Sequence, residues 1–252
     1  MSFEGLTGRG VRVGIIDSGV NPAHPHVGPV AGGVFIGPYG QSPEYLDRLG
    51  HGTAVAGAIR EGAPDALIYA IKVFDRTLLT SSAIILQGIE WCLENEMHVV
   101  NLSLGTRNET DHARFEELVA RAARSGVVLV AAHDAGGQAV LPGCLPMTTA
   151  VGLSSDCPRD SYRRLTTSSR TLFYASGYPR PIPGVPQDRN LNGISFAVAN
   201  MTGFVARVRQ ANPDASLPEL QRILAKNADV SDATPAPEEN SLATIRTDYG
   251  QT

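Results

Sequence analysis

The chain has 252 residues, of which 42% are hydrophobic and 18% are charged, and its formal net charge is −4. This length and composition predict one α/β-sized folded domain, and the small acidic excess gives no electrostatic reason to expect binding to nucleic acid. The longest apolar run, 127–132, is too short to cross a bilayer, and the first residues lack the basic and apolar stretches of a signal peptide. We therefore expect neither a nucleic-acid nor a membrane partner.

The three cysteines, Cys92, Cys144 and Cys157, are an odd number and form no CxxC pair. This pattern argues against a disulfide framework and against a zinc site. It is typical of proteins in a reducing compartment, so we expect a cytoplasmic location.

Short apolar runs alternate along the chain with amphipathic segments. The predicted strands are 11–16, 66–73, 99–103 and 127–132, and the predicted helices are 51–60, 82–95, 111–124, 195–210 and 217–226. Strands that alternate with helices indicate βαβ units and a parallel sheet. Beyond Asn227 the composition shifts to acidic, proline, serine and threonine residues, so we predict a domain over 1–229 and a polar, flexible tail over 230–252.

Three short motifs place reactive side chains at the ends of these elements. Asp17 ends a predicted strand (IIDSG), His51 begins a predicted helix (HGTAVAG), and Ser195 lies in the first turn of another (GISFA). Each motif alone is more typical of a turn or a helix cap. Together, in the order Asp, His, Ser, they match one of the known chain orders of a hydrolase triad.

The three residue types fit nucleophilic catalysis. A serine hydroxyl is a weak nucleophile at neutral pH and needs a base within hydrogen-bond reach. His51 can take that proton and return it to a leaving amine, because its ordinary pKa is near ~6.5. Asp17 would hold the imidazole in the correct tautomer and stabilise the imidazolium.

The chain resembles the subtilisin-like serine proteases over roughly residues 5–226. Beyond the three motifs, the resemblance rests on the segments 5–17, 73–105 and 141–152, which follow in the family's order. It implies a three-layer α/β/α fold with a mostly parallel sheet, and a serine endopeptidase that forms an acyl-enzyme on Ser195. It implies a peptide or protein substrate and no cofactor.

The resemblance also implies two segments that bind the substrate backbone. They are Ser103, Leu104 and Gly105, which line the pocket for the side chain before the scissile bond, and Leu78, Leu79 and Thr80 on the other side. The two leucines indicate narrower or more apolar upstream subsites, unless they point inward as part of the core.

The sequence departs from the family at the residue that stabilises the oxyanion. The family supplies an asparagine amide from a sequence of the type AAGN, but here the stretch is AAHDAGG. A count without gaps puts Ala135 at that position, and a slip of one residue puts Asp134 there, which we prefer. An ionised Asp134 would repel the oxyanion, so either Asp134 is protonated or His133 donates instead.

Aspartates in the first third of the chain are scattered rather than arranged as a calcium loop, so we predict no metal site. Apart from Asp17, they are Asp47, Asp65 and Asp75. The small size favours a dedicated intracellular processing protease, such as one that removes a leader from a precursor peptide. The alternatives are a transpeptidase or cyclase on the same fold, and a weakly catalytic peptide-binding pseudo-protease, which the missing asparagine favours. No feature of the sequence indicates an oligomeric state.

Overall fold

The computed structural model describes residues 3–230. Within these residues there are twelve strands: β1 Arg12–Asp17, β2 Gly32–Gly37, β3 Gly40–Ser42, β4 Leu67–Lys72, β5 Val99–Leu102, β6 Val128–Ala132, β7 Asp134–Ala135, β8 Gln138–Ala139, β9 Thr149–Leu153, β10 Arg163–Thr166, β11 Thr171–Ala175 and β12 Asp229–Val230. The α-helices are α1 His51–Gly62, α2 Ser82–Glu94, α3 His112–Arg124, α4 Ile194–Ala211 and α5 Leu217–Asn227. The predicted tail, 230–252, lies outside the described residues except for its first one.

One ten-stranded sheet organises the molecule, in the order β12-β10-β11-β9-β6-β5-β1-β4-β2-β3. Neighbouring strands are parallel except for the pairs β2–β3 and β10–β11. The mostly parallel sheet predicted from the alternation is therefore confirmed. The strands β7 and β8 form a separate two-stranded hairpin directly after β6.

Side chains alternate between the two faces of the central strands, and each face packs against its own helices. In β6, Val128 and Val130 join the cluster that contains residues of α1, α4 and α5, whereas Leu129 and Ala131 join the cluster that contains residues of α2 and α3. Strands buried on both faces read as continuous apolar runs, as this one does. The predicted three-layer α/β/α fold is confirmed.

The helices begin where the sequence supplies capping groups or glycine. The hydroxyl of Ser81 accepts a hydrogen bond from the amide of Ile84 at the start of α2, and Ser216 and Glu219 form a capping box at the start of α5. At the start of α1 the cap is Gly50, whose φ of 85° lies in the left-handed region that glycine tolerates. This turn brings the first residue of α1, His51, over the end of β1.

Within residues 3–230, no helix combines the length and the apolar character that a membrane span requires. The same part of the chain holds no group of three or more histidine, cysteine, aspartate or glutamate side chains placed to bind a metal ion. Cys92, Cys144 and Cys157 are all free thiols.

Candidate active site

The carboxylate of Asp17 and the imidazole of His51 meet at the carboxyl ends of the parallel strands. Asp17 is the last residue of β1 and only 1% exposed, and its Oδ1 lies 2.7 Å from Nδ1 of His51. The same oxygen accepts a hydrogen bond from the amide of Ser18, also at 2.7 Å. A carboxylate on Nδ1 leaves Nε2 of the neutral ring as the proton acceptor, which is the tautomer that a general base requires.

Helix α1 can approach β1 this closely because Gly52 has no side chain. A Cβ on Gly52 would lie 2.2 Å from the backbone oxygen of Gly19 and 3.2 Å from Cβ of Asp17. Any other residue here would push the start of α1 away from the strand. The glycine in the second position of the HGTAVAG motif is therefore a requirement of the Asp17–His51 contact.

Ser195 lies in the first turn of α4 and faces the loop that follows β5. Its hydroxyl donates to the backbone carbonyl of Ser103 at 3.1 Å. The ring of the next residue, Phe196, lies 5.7 Å from the ring of His51, measured between centroids. The structure thus brings α4 beside His51, but it records no hydrogen bond between Ser195 and His51, so a change of the Ser195 rotamer is needed before proton transfer.

A buried chain of hydrogen bonds ties β5 to α4 beneath Ser195. The hydroxyl of Thr202 donates to Oδ1 of Asn101 at 3.0 Å, and Nδ2 of Asn101 donates to the hydroxyl of Ser103 at 2.7 Å. The hydroxyl of Ser103 in turn donates to the backbone carbonyl of Ser195 at 3.3 Å. Because all four groups are buried and paired, this network fixes the position of the serine backbone.

A second polar cluster holds the start of α1. Asp47 accepts hydrogen bonds from the hydroxyls of Ser18 (2.9 Å) and Thr53 (2.6 Å) and from the amides of Leu49, Gly50 and Thr53. Burial raises the pKa of Asp47, but the bonds from Thr53, Leu49 and Gly50 outweigh it, so the pKa lies below its ordinary value. An anion at this helix N-terminus also suits the helix dipole.

The electrostatic surroundings raise the pKa of His51 above its ordinary value. Burial, the largest single influence, lowers it, but the charge and hydrogen bond of Asp17 together with the charge of Asp47 outweigh burial. The imidazolium that would form during catalysis is therefore stabilised by two carboxylates.

The predicted substrate segment after β5 has unpaired backbone groups. Among the described residues, no hydrogen bond is recorded for the backbone N–H or C=O of Leu104 or Gly105, although Leu104 is 3% exposed. The next residue, Thr106, pairs with Leu141 in an antiparallel bridge. Unpaired backbone in a buried setting is unusual and fits a segment that pairs with an extended ligand.

The other predicted substrate segment lies between β4 and α2. Leu79 is 51% exposed, whereas Leu78 packs partly against the apolar core and Thr80 is buried. The two leucines thus divide between the alternatives left open by the sequence, one pointing outward and one inward.

Of the two predicted oxyanion donors, Asp134 makes another hydrogen bond, whereas Nδ1 of His133 is buried and has no partner within residues 3–230. Oδ1 of Asp134 accepts from the amide of Gly137 at 3.0 Å, within the β7–β8 hairpin. Burial, followed by the charge of Arg170, lowers the pKa of His133 below its ordinary value, against the charge of Asp134 and a backbone hydrogen bond at Gly143. Neither side chain hydrogen-bonds to Ser195, and their roles stay predictions.

The backbone supplies one donor where an oxyanion would form. The amide of Ser195 belongs to the first turn of α4, where helix geometry leaves N–H groups without a partner four residues back. No hydrogen bond is recorded for this amide among the described residues. Ala135, at the position counted without gaps, is 5% exposed and has no side-chain donor.

Comparison with known proteins settles the family. The model of the subtilase family of peptidases matches residues 8–250. The chain is a subtilase. Subtilisin Savinase of Lederbergia lenta is 33% identical over 246 residues, which cover 89% of this chain and 86% of that protein. The alkaline protease of Alkalihalobacillus alcalophilus is also 33% identical, but this chain spans only 60% of its length.

Solved structures agree with the subtilase fold. A cold-adapted subtilisin-like serine proteinase superposes with a TM-score of 0.71 at 26% identity, over 95% of this chain and 92% of the other. A lanthipeptide protease shares the fold, with a TM-score of 0.68 at 21% identity, over 86% of this chain and 79% of that one. The resemblance expected from the sequence motifs is confirmed.

Proposed function

We propose that this subtilase is a serine endopeptidase in which Ser195 attacks the peptide carbonyl, His51 is the general base and acid, and Asp17 holds the imidazole. The observation that carries the proposal is the 2.7 Å contact between Asp17 and Nδ1 of His51, at the sheet edge where α4 presents Ser195. Subtilisin relatives at 33% identity support the same chemistry.

Each step of the proposed reaction uses a group of the site described above. When the hydroxyl of Ser195 turns from the carbonyl of Ser103 to Nε2 of His51, its proton passes to the ring as the oxygen attacks the carbonyl carbon. The amide of Ser195 then faces the developing negative charge, aided by the α4 dipole. The imidazolium returns the proton to the leaving amine, and water repeats the sequence to release the acyl group.

We further propose that the natural reaction is processing of a peptide or protein precursor inside the cell. Three free thiols in the described structure support a reducing location. The unpaired backbone of Leu104 and Gly105 supports binding of an extended peptide as an added strand.

The second candidate is a peptide-binding protein with weak or no hydrolysis. Two observations favour it: the serine hydroxyl is bonded to a carbonyl rather than to His51, and Asp134 is engaged in its own hairpin. Under this second candidate, the protein would bind peptides as tightly as an endopeptidase would, but it would hydrolyse few of them.

The experiment that separates the candidates is digestion of an unfolded protein, with the product termini identified by mass spectrometry. We expect new termini from the wild type and from Ser169→Ala, an exposed loop serine used as the control, and none from Ser195→Ala. Joined or cyclic products would instead indicate transpeptidation. Absence of products from all three proteins, with peptide binding intact, would contradict the endopeptidase proposal.

A further inference from the structure

A cavity of about 470 Å³ lies beside the proposed triad, and none of the residues named so far as catalytic or substrate-binding line it. One wall is the loop after β1, with His24 and His26, and the opposite wall is the segment ahead of α4, with Arg180, Ile182 and Leu191. The first two turns of α1 form its floor. A volume of this size accommodates one or two amino-acid side chains.

The cavity is lined by residues close in sequence to the reacting groups and by none of the predicted substrate segments. Gly50, which lines it, directly precedes His51, and Leu191 precedes Ser195 by only four residues. The segments 78–80 and 103–105 do not contribute to it. A peptide that runs from Gly105 past Ser195 would therefore reach this cavity with the residues that follow the scissile bond.

The floor and the rim of the cavity suit an apolar side chain. The helix presents small residues there, Ala54 and Gly57, so space is left above it. At the rim, Ile182 is 44% exposed and Leu191 is 53% exposed. When a ligand covers large apolar side chains that are otherwise open to water, the free energy of the complex is lowered.

The lining of the cavity contains one arginine, Arg180, and one aspartate, Asp47. Arg180 is anchored there by a hydrogen bond from its Nη1 to the backbone carbonyl of His26 at 3.3 Å. The acidic residue in the lining, Asp47, has both carboxylate oxygens occupied by the cluster that holds α1. Arg180 is therefore available to a carboxylate brought in by the ligand, which it can bind through two parallel N–H groups.

We propose that this cavity binds the leaving-group side of the substrate and selects a segment in which an apolar residue stands next to aspartate or glutamate. The proposal rests on the endopeptidase function above, which it extends to the residues after the cleavage site. The apolar side chain occupies the space above Ala54, and the acidic side chain pairs with Arg180.

A binding measurement tests the cavity without requiring turnover. The probes are tetrapeptides with a free amino terminus that contain Leu-Glu, Leu-Gln or Leu-Lys, titrated calorimetrically into Ser195→Ala. We expect the Leu-Glu peptide to bind roughly tenfold more tightly than Leu-Gln, and Leu-Lys to bind more weakly still, because a charge-assisted pair exceeds a neutral one. Equal affinities for the three, or no binding at all, would overturn the proposal.

Two variants and a control place the effect at the cavity. In the Ser195→Ala background, Arg180→Gln should abolish the preference for Leu-Glu, whereas Arg189→Gln, an exposed arginine nearby, should leave it unchanged. Ala54→Leu should weaken all three peptides by filling the floor. Thermal unfolding of each variant checks folding. If Arg180→Gln keeps the preference, the acidic subsite lies elsewhere and the proposal is wrong.

Cleavage assays then separate the two proposals. Substrates that differ only after the scissile bond should show the same rank order in kcat/KM for the wild type. Selective binding without cleavage would contradict the endopeptidase function and leave the cavity assignment standing. Cleavage without selectivity would support the endopeptidase function and contradict the cavity assignment.

Discussion

At the scale of single residues, the pair of Asp17 and His51 decides how the site responds to pH. The pKa of His51 is raised because the charges of Asp17 and Asp47 outweigh burial. A general base acts only when it is unprotonated, so activity should fall as the pH drops through this raised pKa. The acid limb of the pH profile therefore lies above the ordinary value for histidine.

Replacement of the triad carboxylate should change both rate and pH profile. We expect Asp17→Asn to lower kcat/KM by roughly 10⁴-fold, because the ring can then adopt the wrong tautomer. The acid limb should move to lower pH, since the main charge that raises the pKa of His51 is gone. Steady-state kinetics from pH 5 to 9 measure both effects, with Asp188→Asn, an exposed carboxylate, as control. An unmoved acid limb would contradict this assignment of the base.

The oxyanion position gives a second prediction at this scale. Because Oδ1 of Asp134 is held by the amide of Gly137, we expect Asp134→Asn to change kcat by less than about threefold from pH 5 to 8. The amide of Ser195 would then be the principal donor. A loss or gain of 10²- to 10³-fold, which is the typical worth of one oxyanion donor, would show that Asp134 takes part directly.

At the scale of secondary-structure elements, the start of α1 depends on Asp47. We expect Asp47→Asn to lower the free energy of unfolding by about 1–2 kcal/mol, because it weakens several hydrogen bonds to the helix cap. The pKa of Asp47 lies below its ordinary value, so this stabilisation is present at neutral pH and is lost as the pH falls through that pKa. Urea unfolding at pH 7 and pH 3 measures the difference between the variants.

The Asp47→Asn substitution should also change the titration of the active site. Removal of the Asp47 charge should lower the pKa of His51 and move the acid limb of kcat/KM to lower pH, by less than Asp17→Asn does. If Asp47→Asn lowers stability without shifting the acid limb, Asp47 stabilises the start of α1 but does not affect the pKa of His51. A shift larger than that of Asp17→Asn would contradict the order of the two charges.

The contact between the loop after β5 and the segment ahead of Pro142 predicts a small side chain before the scissile bond. A Cβ on Gly105 would lie 2.8 Å from Cγ2 of Val140, and Val140 is 3% exposed. The space beside the predicted substrate segment is thus filled by this valine. We expect the enzyme to cleave after glycine, alanine or serine in preference to phenylalanine.

Val140→Ala should widen that preference. We expect kcat/KM for a substrate with leucine or phenylalanine before the scissile bond to rise at least about tenfold, the typical worth of one or two methylene groups in a pocket. Val127→Ala, a buried valine with 4% exposure outside the site, controls for loss of stability. An equal effect of both variants on all substrates would contradict the role of Val140.

At the scale of the whole molecule, the predicted elements that carry the site agree with the structure to within one or two residues. The strands β2, β9 and β11 are absent from the predicted elements although much of each is buried. The strands β1, β4, β5 and β6, which read as continuous apolar runs, and the amphipathic helices could be predicted. The strand β10, Arg163–Thr166, could not, because it has a polar sequence and forms only through pairing with β11 and β12. Its partners are fixed by the fold rather than by its own residues.

The candidate site, too, could be predicted from the sequence only in part. Asp17, His51 and Ser195 were found because each stands in a local motif at the end of a predicted element. The bond from Ser18 to Asp47 spans 29 residues and the bond from Thr202 to Asn101 spans 101, so no local pattern announces either. The cavity at Arg180 likewise forms only when distant loops meet.

The measurement that tests the central claim most directly is labelling of the purified protein with a fluorophosphonate probe between pH 5 and 9, beside Ser195→Ala. The account predicts one label per chain on Ser195, absent from the variant, with a rate that rises with pH through the raised pKa of His51. Asp17→Asn should label far more slowly. Absence of labelling at every pH, or equal labelling of Ser195→Ala, would show that these three residues do not form a working triad.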